Sequence, residues 1–328
     1  MFYFKCNMVA LMRNIIIFDV LTLKQTMTNS NNFDVIIIGG SYAGLSAAMA
    51  LGRSVRNVLI IDEGQPCNRQ TPHSHNFLTQ DGSTPAEISS LARQQVSKYE
   101  TVSFHQGRAV KARKTGTGFE IKTQADEVFS SKKVVLATGI KDLLPEIDGF
   151  SECWGISVVH CPYCHGYEIR DVETGILADG DAAMHYAPLV NNLTKTLKIF
   201  TNGKSVLTTE QRQKLESHNI KVVETEINRF EQSNGKIERI IFKDGTSSSL
   251  KALYARVPFI QHIDIPQQLS CEMTDQGFIK TNEFQQTTVS GVFACGDNST
   301  PMRSVANAVA SGNFAGAAIN RELCEEQF

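Results

Sequence analysis

The sequence has little that would commit it to a membrane, to nucleic acid or to a secreted disulfide scaffold. No stretch of its 328 residues is long and apolar enough to cross a bilayer. The formal net charge is −2, so no basic face exists to read a phosphate backbone. Eight cysteines are present, but apart from one pair they show no framework spacing, which suits a reducing cytoplasm. Only one Cys-x-x-Cys occurs, and a zinc site usually takes its four ligands from two such pairs. An export signal is weak: the apolar run Ile15-Ile16-Ile17-Phe18 is short, follows Lys5 and Arg13, and lacks a small-residue cleavage site. Met27 is therefore read as the natural start, with residues 1–26 a non-native or disordered extension. What remains is ordinary globular composition, 41% hydrophobic and 20% charged, with room for two domains.

The stretch Cys161-Pro162-Tyr163-Cys164-His165 carries the chemistry. Two cysteines separated by two residues can close a small disulfide. One sulfur of such a pair often has a lowered pKa and can attack another disulfide as thiolate. His165 sits next to the second sulfur and could move the proton. Its ordinary pKa lies close enough to neutrality to hold a proton in either direction. Three other readings compete: haem c attachment, which needs export; a metal site, which lacks ligands; and two buried structural cysteines. The flanking sequence favours redox.

Phe33-Asp34-Val35-Ile36-Ile37-Ile38 reads as a parallel strand buried on both faces. It runs into Gly39-Gly40-Ser41-Tyr42-Ala43-Gly44, then an alanine-rich helical segment, then a strand ending in Asp62. This is the βαβ dinucleotide pattern. The first glycine makes the turn, and the last allows close helix–strand packing. The helix N-terminus offers free N–H groups to a pyrophosphate. Asp62 lies at the distance expected of a ribose acceptor. The middle glycine of the pattern is Ser41, a departure that weakens the motif. The polar loop from Pro66 to His75 follows, and its residues could reach a nucleotide or a flavin; its histidines read equally well as surface residues. Residues 84–99 read as an amphipathic helix, and 101–135 as alternating short strands with turns at Gly116 and Gly118.

Two further buried strands end in small-residue turns: Lys133 to Gly139, and Gly291 to Asp297. A long alanine-rich helix follows the second. If both belong to one sheet with the first strand, that domain is split and the segment between is an insertion carrying the Cys-x-x-Cys. Lys141 to Phe150 reads as the outgoing linker and Lys251 to Pro258 as the return.

The order and spacing of Gly39 to Gly44, Ala137-Thr138-Gly139, the Cys-x-x-Cys and Gly296-Asp297 resemble the low-molecular-weight thioredoxin reductase family of FAD-dependent pyridine nucleotide-disulfide oxidoreductases. The run Cys161 to Glu168 is similar to the branch of gliotoxin-type dithiol oxidases. The resemblance implies an α/β fold with two Rossmann-like three-layer domains, residues 27–142 with 252–328 for FAD and 143–251 inserted. It implies an FAD site at Gly39, Gly40, Ser41, Tyr42, Ala43, Gly44, Asp62, Gln70, Thr138, Gly139, Gly296, Asp297, Arg303 and Ser304. By that likeness Asp297 would contact the ribityl or pyrophosphate part, and Arg303 and Ser304 the pyrimidine edge. Cys164 would face the flavin, Cys161 would attack the substrate, and the chain would pair as a homodimer. Thioredoxin reductases usually carry an aspartate where His165 stands, which puts thioredoxin itself in doubt as substrate.

In the inserted segment the likeness frays. Ala178-Asp179-Gly180-Asp181-Ala182-Ala183 occupies the place of the family's NADPH loop, but its first glycine is Ala178. The arginine pair that would meet a 2′-phosphate is missing, with Lys204 the only nearby cation. NADPH, NADH and no nicotinamide all stay open; in the last case electrons would come from a substrate dithiol or a donor such as ferredoxin. Residues 210–250 read as a helix followed by a small hairpin layer turning at Asn234-Gly235 and Asp244-Gly245. His262 could sit near the disulfide as a second acid–base group, but reads better as a loop residue without a catalytic role. Three functions remain in view: a reductase of a thioredoxin-like protein, an oxidase of a small-molecule dithiol using oxygen, and a non-turnover redox sensor.

Overall fold

The computed structural model describes residues 31–328; the expected start at Met27 and the extension before it lie outside the described residues. The first sheet runs Val102–Gln106, Val58–Asp62, Asn32–Ile38, Val128–Leu136, Phe119–Thr123, Ala109–Lys114, and Val292–Ala294 pairs in parallel with residues 134–136 of the fourth strand. Strands from both ends of the chain thus share one sheet.

The continuous apolar run at the start has a simple cause. Val35 and Ile37 point into a core with Leu45, Leu51, Ile319 and Leu323 from the helix layer. Ile36 and Ile38 point the other way, against Ile121, Leu136 and Ile265. A strand covered on both faces needs apolar residues at every position, not at alternate ones. The helices Tyr42–Arg53 and Val305–Gln327 cross closely on the first face. A Cβ at Gly312 would lie 2.1 Å from the Ala43 carbonyl oxygen, so only glycine admits this crossing.

The second sheet is parallel, in the order Lys221–Val223, Leu197–Phe200, Thr174–Leu177, Ala252–Ala255, Val158–Val159. The helices Gly180–Asn191 and Thr209–Ser217 cover one face, burying Ala183, Ala187 and Leu215 against Ile176 and Ile199. A three-stranded antiparallel layer, Ile227–Ser233, Lys236–Phe242 and Ser247–Ser249, covers the other through Phe230, Ile240 and Phe242. Its first turn places Asn234 and Gly235 at φ 51° and 76°, the left-handed pair that an Asn-Gly hairpin supplies. Both units are therefore α/β and Rossmann-like; the second sheet is wholly parallel, and the first adds the antiparallel strands Phe119–Thr123 and Ala109–Lys114 at one edge.

The sequence reading puts the return linker near Lys251 to Pro258 and the second part of the first domain from residue 252, and the structure corrects this. Ala252–Ala255 is instead a fully buried strand of the second sheet, between Thr174–Leu177 and Val158–Val159. The chain crosses between sheets later, where Phe259–Gln261 pairs antiparallel with Ile140–Asp142. Four small or apolar residues in a row carry no signal that separates a linker from a short buried strand.

Candidate functional site

The first βα turn is an open cradle. Gly39 has φ 105°, and a Cβ there would sit 2.2 Å from the Ala137 carbonyl oxygen; a Cβ on Gly44 would sit 1.9 Å from the Gly39 oxygen. The helix that follows begins at Tyr42 with Ser41 as N-cap, and the Ser41 side chain makes no capping bond. The first N–H groups therefore face outward without a side-chain acceptor, as an anion site requires. Asp62 ends the second strand and its carboxylate accepts from Gly40 N at 3.0 Å. Tyr42 turns inward: its hydroxyl donates to the Pro85 carbonyl and accepts from Asn68 Nδ2. Ala43 packs under Gly296, whose φ is 83°.

A cavity of about 1420 Å³ starts at this turn. It is lined by Gly39 to Ala43, Asp62, Gln70, Thr138, Gly139, Gly296, Asp297, Arg303 and Ser304, and it reaches Cys164 and His165. Of the expected cofactor residues only Gly44 lies off its wall, beneath the turn. Thr138 accepts from Asn298 Nδ2 at 3.3 Å, and Gln70 rests against Gly155 of the inserted segment. Ser304 caps the last helix by accepting from Asn307 N.

Arg303 is not free to point at a ligand edge. Its two terminal nitrogens donate to the Asp142 carboxylate at 2.9 and 3.1 Å, and its Nε lies 3.7 Å from Asp297. Burial raises the Asp297 pKa, although Arg303 opposes the shift. Burial, with Asp297 adding to it, pushes the Cys67 thiol up to about 12, so Cys67 stays protonated and inert. Sequence reasoning missed Asp142, since nothing local announces a partner 161 residues away.

The second end of the cavity holds the disulfide Cys161–Cys164. Cys161 is the N-cap of a one-turn helix, Pro162–His165, with proline at its first position. Its sulfur accepts from Cys164 N at 3.2 Å, a bond that would also steady a thiolate there after reduction. Cys164 lines the cavity; Cys161 does not. His165 was expected to titrate near neutrality. Burial, aided by the nearby His75, lowers its pKa to about 4, so it stands neutral and can accept a proton from a thiol. His160, just before Cys161, also lines the cavity and is lowered to about 3 by burial, then by Arg303 and His165. His262 lines the same cavity, but beside Asp62: its Nε2 lies 2.6 Å from Glu63.

A sequence model of the pyridine nucleotide-disulphide oxidoreductase family matches residues 33–312. The chain belongs to this family. It is 34% identical to a thioredoxin reductase, tcpT, of Claviceps purpurea over 90% of this chain and 96% of that one. It is 31% identical to the thioredoxin reductase aclD of Aspergillus oryzae, over 90% and 98% of the two chains. An oxidoreductase from Agrobacterium tumefaciens of known crystal structure is 38% identical, with a TM-score of 0.84 over 90% of this chain and 99% of that one. The chain is thus a thioredoxin reductase-like FAD-dependent oxidoreductase acting on thiols and disulfides.

Members of this family use FAD and NADPH. The first turn fits FAD: its glycines leave no room for side chains, its helix N-terminus is open, and the cavity leads from it to a redox disulfide. FAD held by these residues would supply two-electron redox chemistry to the cavity that Cys164 lines. The second turn does not fit a pyrophosphate. Asp179 is the N-cap of the helix Gly180–Asn191, and its carboxylate accepts from Gly180 N at 2.7 Å, Ser205 Oγ at 2.7 Å and Val206 N at 2.8 Å. Burial opposes ionisation, but these bonds outweigh it and hold the carboxyl below its usual range. The chain's own anion therefore occupies the place of a phosphate. Arg212, whose charge acts on Asp179, is paired with Glu224 at 2.8 Å. Among the described residues no helix is long and apolar enough to cross a membrane.

Proposed function

We propose that Cys161 exchanges with an external thiol or disulfide while Cys164 is the sulfur on the flavin side, so that two electrons pass between substrate and FAD through the pair. The observation that carries this reading is the asymmetry of the two sulfurs. Cys164 lines the cavity that begins at Gly39, and Cys161 does not. Cys161 also holds the hydrogen bond that favours an attacking thiolate. His165, neutral and beside Cys164, takes the thiol proton. The test is mixed-disulfide capture with Ellman's reagent on single variants. The Cys164→Ser protein should form a stable yellow adduct at Cys161, and both single variants should lose turnover by at least about 100-fold while keeping FAD. Rapid capture by Cys161→Ser and none by Cys164→Ser would reverse the assignment.

One observation favours the direction from dithiol to flavin. Asp179 fills the position a nicotinamide nucleotide's pyrophosphate would need. Electrons then enter from a small-molecule dithiol and leave to oxygen or another acceptor, and the nicotinamide-fed reduction of a thioredoxin-like protein is the opposite direction through the same two sulfurs. Family likeness supports a homodimer, which size-exclusion chromatography with light scattering would check. The unpaired cysteine usage supports a cytoplasmic setting.

A further inference from the structure

The cavity wall carries a charge arrangement that neither the turn nor the redox pair explains. The first sheet sets Asn32–Ile38 between Val58–Asp62 on one side and Val128–Leu136 on the other, with Val292–Ala294 paired beyond it. A dinucleotide whose pyrophosphate sits at the turn after the middle strand extends its two halves to opposite sides. Asp62 stands at the ribose-acceptor side of that pattern. The flavin half therefore passes the residues that follow Leu136 and Ala294. These include Asp142, Asp297 and Arg303, and all three line the cavity. One cation stands here between two anions. Asp142 accepts from both terminal nitrogens of Arg303 at 2.9 and 3.1 Å, a fork on a fork. Arg303 Nε has no hydrogen-bond partner and lies 3.7 Å from Asp297. The side chains of Asp142, Arg303 and Asp297 are 10%, 15% and 18% exposed, so water and salt screen them little. Lys141, the other cation on this stretch of wall, is exposed.

The backbone holds both ends of the pair. Asp142 ends the strand Ile140–Asp142, in register with Phe259, and Leu143 N donates to the Pro258 carbonyl at 2.8 Å. Arg303 N donates to the Pro301 carbonyl at 2.9 Å. The next residue, Ser304, caps the last helix by accepting from Asn307 N at 3.1 Å. Asp297 is the looser partner: burial raises its pKa, and its carboxylate faces the Cys67 thiol at 3.9 Å. Asp142 is thus the carboxylate that both places the guanidinium and offsets its charge.

We propose that Asp142 is a positioning residue that fixes Arg303 at the flavin half of the cavity and offsets its charge there, keeping the reduction potential of the bound flavin low. Near pH 8 a flavin takes up two electrons and one proton on reduction, so its ring gains a unit of negative charge. An unpaired guanidinium on the wall would stabilise that charge. One already held by Asp142, with Asp297 behind it, does so far less. The flavin then gives its electrons up more readily. The proposal needs FAD in the cavity and nothing more: it does not depend on which sulfur faces the substrate or on the direction of electron flow.

The experiment is anaerobic reductive titration of the FAD-loaded protein at pH 8 against a dye of known potential, read at the flavin band. Asp142→Asn keeps the shape and one acceptor oxygen, and should keep FAD to within about twofold of the wild-type content. Its equilibrium constant for two-electron reduction should rise at least about tenfold, which is about 30 mV upward for this couple. Asp142→Ser also removes the charge, should move the constant the same way, and serves if the Asn variant misfolds. Asp142→Glu restores the charge and should bring the constant back to within about threefold of wild type. A wild-type constant in the neutral variants would overturn the proposal. So would an equal rise in Asp142→Glu, which would make shape and not charge the cause, and so would loss of FAD from both neutral variants. An error in the roles of Cys161 and Cys164 would appear in mixed-disulfide capture and leave these constants where they are.

Discussion

The molecule contains two βα turns, each following a central parallel strand of its own sheet, and they have been finished in opposite ways. After the strand Asn32–Ile38, Gly39 to Gly44 leaves a helix N-terminus without a side-chain cap and a cavity in front of it. After the strand Thr174–Leu177, Ala178 to Ala183 ends in a helix whose N-terminus is sealed by Asp179, itself tied to Ser205 and Val206. An uncapped N-terminus costs stability when nothing is bound and gains it back from an anionic ligand. A capped one is stable alone and repels that ligand. The contrast teaches that the same turn in one fold can be left open to an anion or capped by the chain's own carboxylate.

The sharpest way to break the contrast is to fill the first turn. Gly44→Val puts a side chain where the Gly39 oxygen leaves 1.9 Å, and should cost nearly all bound FAD, with the 450 nm to 280 nm absorbance ratio falling at least about tenfold or the protein failing to fold. Ala178→Gly at the second turn should leave that ratio unchanged. Next in size is the seal itself. Asp179→Ala removes a helix cap and should lower stability by about 1–2 kcal/mol, seen as a drop of a few degrees in Tm, with flavin content intact. Affinity for NADPH, measured by calorimetry, should rise in Asp179→Gly.

A smaller effect comes from pH. His160 and His165 have folded pKa values of about 3 and about 4, below the ordinary histidine value near 6.5. As pH falls from about 6.5 toward 4, the unfolded chain takes up protons that the native chain refuses, so stability is full above that window and is lost within it. Tm should therefore drop between pH 7 and pH 5, and drop less in His165→Gln. The smallest change is Ser41→Gly, which completes the glycine pattern. Ser41 makes no capping bond, so flavin content should hold and Tm should move by under about 1 °C.

Much of this was legible in the chain. The doubly buried strand at Val35 to Ile38, the turn after it and the redox pair all announce themselves through local composition, because each is a local solution to a local constraint. The split of the first sheet was legible from motif order. What was not legible depends on distant residues meeting. Arg303 has its two terminal nitrogens held by Asp142, a partner that no local pattern announces. The neighbours of His75 were not legible either: the fold, not the local sequence, sets it 3.5 Å from Glu168. The seal of the second turn was half visible: Ala178 and the missing arginines weakened the motif, but that Asp179 would collect Ser205 and Val206 from the next loop needed the fold. The pKa of His165 could not be read at all, since burial sets it.

The most direct measurement is an anaerobic absorbance titration of the flavin protein, first with NADPH and then with dithiothreitol in the same cuvette. The account predicts that NADPH leaves the flavin band in place over minutes and that the dithiol bleaches it with one equivalent. Rapid bleaching by NADPH would show that the second turn opens to a nucleotide despite Asp179, and would contradict the contrast on which the account stands.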